Sequence, residues 1–206
     1  KILAIGEEAR KMEGKTPGLI EAFRPLKNGV IADFDATEEM LKHYINVVHE
    51  NPNSFLPIFP RPKIVVGIPS GVTEVERRAV QDACLSAGAR AAYLIEEPMA
   101  AALGANLPID DPRGNMVVDI GGGTTEIAVI SLGGIVINKS IRIAGDRFDE
   151  AIVHYVRLKH SLLMGIPSAE AAKIAIGSAY LSSHEKHVVV RGRDLENGVP
   201  KSVKLA

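Results

Sequence analysis

Short apolar runs alternate with longer segments of helical periodicity along most of this chain. The runs at 63–69 and 115–120 contain almost no polar residue, which predicts fully buried strands. Further strands are expected at 2–5, 93–95, 126–130, 135–143, 188–190 and 203–205. Because strands alternate with helical segments, the pattern predicts an α/β fold.

Capping residues indicate where two of the helices begin. Asp35 with Glu38, and Thr73 with Glu76, have the spacing of capping boxes, and Gly88 marks the end of the second helix. The buried stripe of the first helix is expected to comprise Met40, Leu41, Tyr44, Ile45 and Val48. Further helices are predicted over 99–105, with Pro98 in the first turn, and over 146–160 and 168–180.

Three glycine-containing dipeptides predict turns between strands. Asn28-Gly29 and Asn197-Gly198 are typical of tight hairpins, and Gly133-Gly134 separates two apolar runs. A hairpin joins antiparallel strands, whereas strand–helix–strand connections favour parallel ones, so a mixed sheet is expected.

Composition narrows the class of protein. The chain has 206 residues, of which 46% are hydrophobic and 24% charged, which excludes a disordered tail, a collagen-like repeat or a disulfide scaffold. The formal net charge of -1 gives no basic field, so no nucleic-acid partner is expected. The single cysteine, Cys84, fits a reducing cytosol, and no signal peptide or membrane-spanning run is visible. The chain begins at Lys1 and ends at Ala206 within or just after strand-like runs, so we expect a portion of a longer protein.

The segment Asp119-Ile-Gly-Gly-Gly-Thr-Thr-Glu126 is the strongest chemical signal. Consecutive glycines allow backbone N–H groups to approach an anion closely, and an aspartate ending a strand can hold a divalent cation opposite a polyphosphate. A flexible hairpin with a capping aspartate is the alternative. The segment is neither a Walker A loop nor a dinucleotide fingerprint.

Several segments resemble the MreB family of bacterial actins, in the superfamily of actin, sugar kinases and heat-shock chaperones. They are RPLKNGVIADF (24–34), VERRAV (75–80), LIEEPMAAALGANLP (94–108), MVVDIGGGTTEIAVISLGGIV (116–136) and SIRIAGDRFDEAIVHYVR (140–157). The resemblance implies an actin-like, ribonuclease-H-like α/β fold with two halves around a nucleotide cleft. The implied subdomains are 1–29 (small, first half), 30–108 (core, first half), 109–147 (start of the core, second half) and 148–206 (small, second half).

The same resemblance implies a cytoskeletal ATPase. Its members bind and hydrolyse ATP with Mg²⁺, form homopolymeric filaments at the inner face of the cell membrane, and organise peptidoglycan synthesis with the cell-wall elongation machinery. Rod shape is maintained in this way. A chaperone-type or a pilus-assembly-type ATPase of the same superfamily is the alternative function.

The resemblance also assigns roles to individual residues near the terminal phosphates. Glu97 is implied to orient the attacking water with help from Thr124, and Asp119 to order Mg²⁺ through water. The alternative for Glu97 is a structural role, in which its carboxylate interacts favourably with the positive end of a helix dipole. The implied second phosphate loop comprises Gly121, Gly122, Gly123, Thr124 and Thr125.

A second group of residues is implied to contact the rest of the nucleotide. Gly145 allows close approach, and Asp146 is expected to cap the helix below it. Glu170 and Lys173 are three positions apart, hence on one helix face, and match a pair that contacts ribose and adenine. A solvated ion pair remains the alternative. Ala175 stands where MreB chains commonly carry an acid, which is a departure from the family pattern.

Two expectations follow from what the chain lacks and from one apolar loop. The first phosphate loop and the adenine-covering GGG motif of the family are absent, so these residues alone are expected to bind ATP weakly or not at all. One apolar loop either folds onto the core or inserts into a membrane surface, where the nearby Arg61 and Lys63 could meet anionic headgroups. The apolar side chains of this loop are Phe55, Leu56, Ile58 and Phe59.

Overall fold

The computed structural model describes residues 2–49, 61–180 and 186–206 and divides into two compact units. Unit 1 comprises Lys1–Asp119 and Thr124–Arg142, and unit 2 comprises Ile120–Gly123 and Ile143–Ala206. The four subdomain boundaries expected from the family resemblance stay a prediction.

Unit 1 begins with short elements around a tight turn. Its first four elements are α1 (Glu7–Met12), β1 (Leu26–Lys27), β2 (Val30–Ile31) and α2 (Phe34–His49). Asn28 and Gly29 join β1 to β2 with φ of 51° and 77°, as predicted for this dipeptide. The prediction of a strand at 2–5 is wrong, because this described segment pairs with no described strand and leaves Leu3 61% exposed.

Asp33, rather than the predicted Asp35, caps α2. The Asp33 carboxylate accepts a hydrogen bond from the Ala36 N–H at 2.9 Å, and the Asp33 carbonyl accepts the first helical bond from Thr37. The expected buried stripe is only partly formed: Ile45 is buried, whereas Tyr44 and Val48 are exposed.

A parallel strand pair forms the centre of unit 1. β3 (Lys63–Ile68) and β4 (Ala91–Glu96) are joined through α3 (Glu74–Ser86), and α3 and α4 (Glu97–Gly104) pack against them. The predicted capping box is confirmed, with the Thr73 N–H donating to Glu76 at 2.7 Å, and Gly88 follows the helix end with φ of 105°. Pro98 lies in the first turn of α4, as predicted.

The prediction of fully buried strands is wrong for two runs. Val65 on β3 is 66% exposed, and its register partner on β4, Tyr93, is 53% exposed. On β5 (Asn115–Ile120), Met116 and Val118 are likewise more than half exposed. Because helices cover these small sheets incompletely in the part of the chain that the structure describes, alternate apolar side chains stay accessible.

An antiparallel hairpin completes unit 1 beside β5. β6 (Thr125–Ser131) and β7 (Gly134–Ile141) are joined by Leu132 and Gly133, both with positive φ, so the turn lies one residue before the predicted one. Parallel and antiparallel pairing therefore both occur, but in different sheets.

Unit 2 packs two helices against a small sheet. Its elements are α5 (Gly145–His160), β8 (Leu162–Leu163), α6 (Ile166–Ile176), β9 (Val188–Asp194) and β10 (Pro200–Leu205). The α5 and β9–β10 predictions are confirmed. The helix α6 begins and ends earlier than predicted, since Pro167 lies in its first turn and Gly177 is its C-cap. The core is formed by Val156, Leu162, Met164, Ala169, Ala172, Val190 and Leu205.

Candidate functional site

Glu97 lies at the carboxyl end of the parallel strand pair in unit 1. It is the first residue of α4 and follows β4 directly, so its half-buried side chain projects from the sheet edge where α/β proteins commonly bind ligands. A Cβ added to Gly67 of β3 would lie 3.4 Å from Glu97 Cγ. Gly67 thus lies directly beside the Glu97 side chain.

The surroundings of Glu97 raise the pKa of its carboxyl above the usual range. Burial is the largest cause, and the negative charges of Glu126 and Asp119 add to it. A carboxyl with a raised pKa holds a proton more readily, which suits a group that takes a proton from water near neutral pH. A helix N-terminus alone favours the charged form, so the raised pKa comes from burial and from the two neighbouring acids.

Asp119 offers a single half-buried carboxylate at the end of β5. Within the ranges 2–49, 61–180 and 186–206, no cluster of three or more His, Cys, Asp or Glu residues is arranged to hold a metal ion directly. Mg²⁺ keeps several waters and needs only one or two carboxylates when a polyphosphate supplies other ligands. The donor set therefore fits the implied water-mediated role of Asp119.

Glu126 is a buried acid that the sequence analysis did not single out. It is 1% exposed; its carboxylate accepts hydrogen bonds from the Ser70 N–H at 3.2 Å and from the Ser140 hydroxyl at 2.6 Å. These bonds tie the loop after β3 to the β6–β7 hairpin. The alternation of Glu126, Ala128 and Ile130, all buried on one face of β6, was a signal that could have revealed it.

The Thr124 side chain lies beside the tight turn at Asn28-Gly29. A Cβ on Gly29 would lie 3.2 Å from Thr124 Cγ2 and 2.7 Å from Pro69 Cγ, so only glycine allows this close approach. Thr124 and Thr125 are both 8% exposed at the start of β6. Thr124 is therefore a buried residue next to this turn in unit 1.

In unit 2, the glycine trio is hydrogen-bonded to the start of α5. The Gly145 N–H donates to the Gly121 carbonyl at 3.1 Å, and the Asp146 N–H donates to the Gly122 carbonyl at 2.8 Å. Gly121 and Gly122 are exposed, and Gly123 is half-buried. The structure thus brings together the glycines and the Gly145-Asp146 pair that the sequence had singled out separately.

The expectation that Asp146 caps α5 is wrong. Ala144 occupies the N-cap position and makes no side-chain capping bond, while Asp146 lies within the first turn. The reason is that the Ala144 carbonyl already accepts the first helical bonds, from Arg147 at 3.0 Å and Phe148 at 3.2 Å. A carboxylate in the first turn still favours the helix dipole.

The Lys173 side chain extends from α6 to the first turns of α5. Its Nζ lies 2.9 Å and 3.0 Å from the two oxygens of Asp149 and 3.1 Å from the Gly145 carbonyl. Glu170 is half-buried one turn earlier on α6. Asp149 was missed in the sequence analysis, although it shares the buried face of α5 with Ile152, Val153 and Val156.

The apolar loop with Phe55, Leu56, Ile58 and Phe59 lies outside the described residues. In the described part of the chain, every helix is too short or too polar to cross a bilayer.

The fold matches solved actin-like proteins. MreB5 of Spiroplasma citri bound to AMPPNP superposes with a TM-score of 0.90 at 38% identity, covering 100% of this chain and 60% of that chain. MamK in a double helical filament superposes with a TM-score of 0.75 at 22% identity, covering 98% of this chain and 58% of that chain, which shows the fold alone. The chain therefore has the actin-like ATPase fold, as predicted.

Sequence comparison gives the family. The model of the MreB/Mbl protein family matches residues 1–206. The cell shape-determining protein MreB of Escherichia coli K12 is 54% identical over 204 residues, covering 99% of this chain and 58% of that protein. The chain belongs to the MreB/Mbl family, which does not favour the chaperone or pilus-assembly alternatives. It spans less than two-thirds of the length of this relative.

Proposed function

We propose that the intact protein containing this chain is a cytoskeletal ATPase that binds MgATP, hydrolyses it and assembles into filaments that maintain cell shape. The observation that carries the proposal is the position of Glu97, half-buried at the carboxyl end of β4 where α4 begins. Two relatives support it: one was solved with AMPPNP, and another is named a cell shape-determining protein.

The residues at the terminal phosphates suit phosphoryl transfer to water. Catalysis of this reaction depends mainly on positioning and on charge stabilisation. The backbone amides of the exposed Gly121 and Gly122 and of the half-buried Gly123 would hold the phosphate oxygens. Asp119 would hold Mg²⁺ through water, and the ion, when bound, would neutralise phosphate charge. Glu97 would orient the attacking water and take its proton, with the Thr124 hydroxyl beside the terminal phosphate.

The adenosine end of the nucleotide would be contacted from unit 2. Gly145 and Asp146 would lie against the phosphates and ribose, and Glu170 with Lys173 would contact ribose and adenine. Ala175 stands where the family pattern implies an acid, so the contact with adenosine is expected to differ in detail.

ATP-dependent assembly of the intact protein tests this proposal. We expect light scattering to rise on adding MgATP and to stay at baseline when EDTA removes the Mg²⁺. The 206 residues alone are expected to bind ATP weakly or not at all, which makes them a negative control. An intact protein whose scattering is the same with MgATP, with EDTA and without nucleotide would contradict the proposal.

Membrane attachment through the apolar loop belongs to the same proposal. Filaments would lie at the inner face of the membrane and recruit the cell-wall elongation machinery that builds peptidoglycan. Burial of each large apolar side chain contributes about 1.5–3 kcal/mol before ordering costs, so four of them suffice for interfacial binding. Arg61 is exposed and would meet anionic headgroups.

Replacing Phe55 and Phe59 with Ser is expected to lower the binding of the intact protein to anionic liposomes at least about tenfold, because two anchors are lost. Co-sedimentation measures the effect. Phe23→Ser is the matched control, since Phe23 is 49% exposed and lies outside the loop. Unchanged sedimentation of the double variant would mean that the loop folds onto the core instead.

A further inference from the structure

Asp149 is a buried charge to which neither the family resemblance nor the proposed function gives a role. It is 3% exposed and lies on the apolar face of α5 that packs into the core of unit 2. A buried carboxylate is costly unless a cation and hydrogen bonds compensate it. Its position therefore depends on a specific partner.

That partner is Lys173, whose ammonium also contacts the backbone of Gly145. The Nζ atom lies 2.9 Å and 3.0 Å from the carboxylate oxygens and 3.1 Å from the Gly145 carbonyl. A Cβ on Gly145 would lie only 3.3 Å from Nζ and 3.4 Å from the Gly121 carbonyl. The ammonium thus packs directly on the residue that joins α5 to the glycine trio.

Two backbone hydrogen bonds connect Gly145 and the next residue to the glycine trio, Gly121 to Gly123. The Gly145 N–H donates to the Gly121 carbonyl at 3.1 Å, and the next N–H, of Asp146, donates to the Gly122 carbonyl at 2.8 Å. Asp149, Lys173, Gly145 and Gly121 consequently form one unbroken series of polar contacts. Every member of this series lies in unit 2.

We propose that Asp149 is a positioning residue for the nucleotide phosphates. By holding the Lys173 ammonium on the Gly145 carbonyl, it fixes the backbone of Gly121 and Gly122 against the first turn of α5. A loop fixed in advance binds phosphate without a further ordering cost. The phosphate part of this inference rests on the proposed function, whereas the restraint on Gly145 does not.

The series also defines what Lys173 does. An ammonium group has three N–H donors, and here its contacts are to Asp149 and to the Gly145 carbonyl. Removing Asp149's charge is therefore expected to change where the Lys173 ammonium lies.

Asp149→Asn in the intact protein tests the inference with two measurements. Amide hydrogen exchange without nucleotide should be at least about tenfold faster at Gly145 and Asp146, whose N–H groups bond to the glycine trio. The affinity for MgATP should fall about tenfold or more, mainly as a rise in KM rather than a fall in kcat. Asp149→Glu, which keeps the charge, should recover part of both effects.

Asp194→Asn is the matched control in the same unit. Asp194 is 8% exposed and pairs with Lys201 at 3.2 Å, and that lysine also donates to a backbone carbonyl, that of His160, at 2.9 Å. The control removes the same kind of contact at the other end of α5. Its MgATP affinity should match that of the wild type.

Four results decide between the inference and its alternatives. Wild-type exchange rates at Gly145 and Asp146 in the Asp149→Asn variant would overturn the restraint, and an equal loss of affinity in the Asp194→Asn control would overturn the positioning role. Wild-type MgATP affinity in Asp149→Asn would overturn the inference while leaving the proposed function intact. A wild-type protein that fails to bind MgATP would instead refute the proposed function, and the phosphate role of Asp149 with it.

Discussion

Replacing Glu97 with Gln is expected to slow ATP hydrolysis by the intact protein about 10²–10⁴-fold, with little change in MgATP affinity. Glutamine keeps the size and hydrogen-bonding ability of the side chain but cannot take a proton from water. Phosphate release under saturating MgATP measures the rate, and nucleotide titration measures the affinity. Wild-type turnover in this variant would show that Glu97 is only a carboxylate at a helix N-terminus.

The same substitution is expected to stabilise the protein at neutral pH. The pKa of Glu97 is raised above its unfolded value of 4.5, so its stabilising contribution is present below that value and is lost as pH rises through the folded pKa. Glu97→Gln should therefore gain stability relative to wild type as the pH rises from 5 to about 8. Urea unfolding across this range measures the difference.

Glu76→Gln is the control of opposite sign. Hydrogen bonds from the backbone and side chain of Thr73 lower the pKa of Glu76, so its contribution is present above its unfolded value of 4.5 and is lost as pH falls through the folded pKa. Its charge-neutral variant should lose stability at neutral pH. A Glu97→Gln variant whose stability follows that of Glu76→Gln would contradict the proposed environment of Glu97.

Replacing Lys173 with Met is expected to destabilise the protein by about 3–5 kcal/mol, because it leaves the Asp149 carboxylate buried without its cation. The Lys173 side chain is 25% exposed, whereas that of Asp149 is 4% exposed, so the acid bears the larger part of the cost. The midpoint of denaturant unfolding measures the loss. Adding Asp149→Asn should recover part of it, since the unpaired charge is then removed.

Lys201→Met provides the comparison for this loss. Its partner Asp194 keeps a hydrogen bond from the Glu196 N–H at 3.0 Å, so the remaining carboxylate is partly compensated and the loss should be smaller. Equal losses for the two lysine variants, or no recovery in the double variant, would mean that Asp149 is not the cause.

The start of a helix was predictable where the sequence shows one clear capping pair. Thr73 and Glu76 satisfy each other's backbone at the start of α3, and their spacing alone identified the capping box. At α2, however, Asp33 and Asp35 lie two positions apart, and both are good caps. Only the backbone bond accepted by the Asp33 carbonyl decides between them.

Strand burial was less predictable than strand location. The runs at β3 and β5 were correctly located, but Val65 and Val118 are exposed. An apolar run has the same appearance whether one face of the sheet is covered or both are, because the sequence does not tell how many layers pack on it.

The residues of the candidate site were likewise predictable only in part. Motif residues such as Gly121 and Gly145 were predicted, because glycine where a close approach is needed leaves a visible sequence signal. Glu126 and Asp149 were missed because they lie among apolar residues on inward faces, where a single acid reads as an exception to the pattern. Their partners, Ser140 and Lys173, are 14 and 24 residues away, a separation that only folding brings into contact.

A structure of the intact protein with bound Mg²⁺ and AMPPNP tests most directly whether Glu97 and the glycine trio contact the same phosphates. We expect the amides of Gly121, Gly122 and Gly123 on the terminal phosphate oxygens and a water about 2.6–3.2 Å from the Glu97 carboxylate, in line with the γ-phosphate. A bound nucleotide whose γ-phosphate lies remote from Glu97, or contacts none of these amides, would contradict the account.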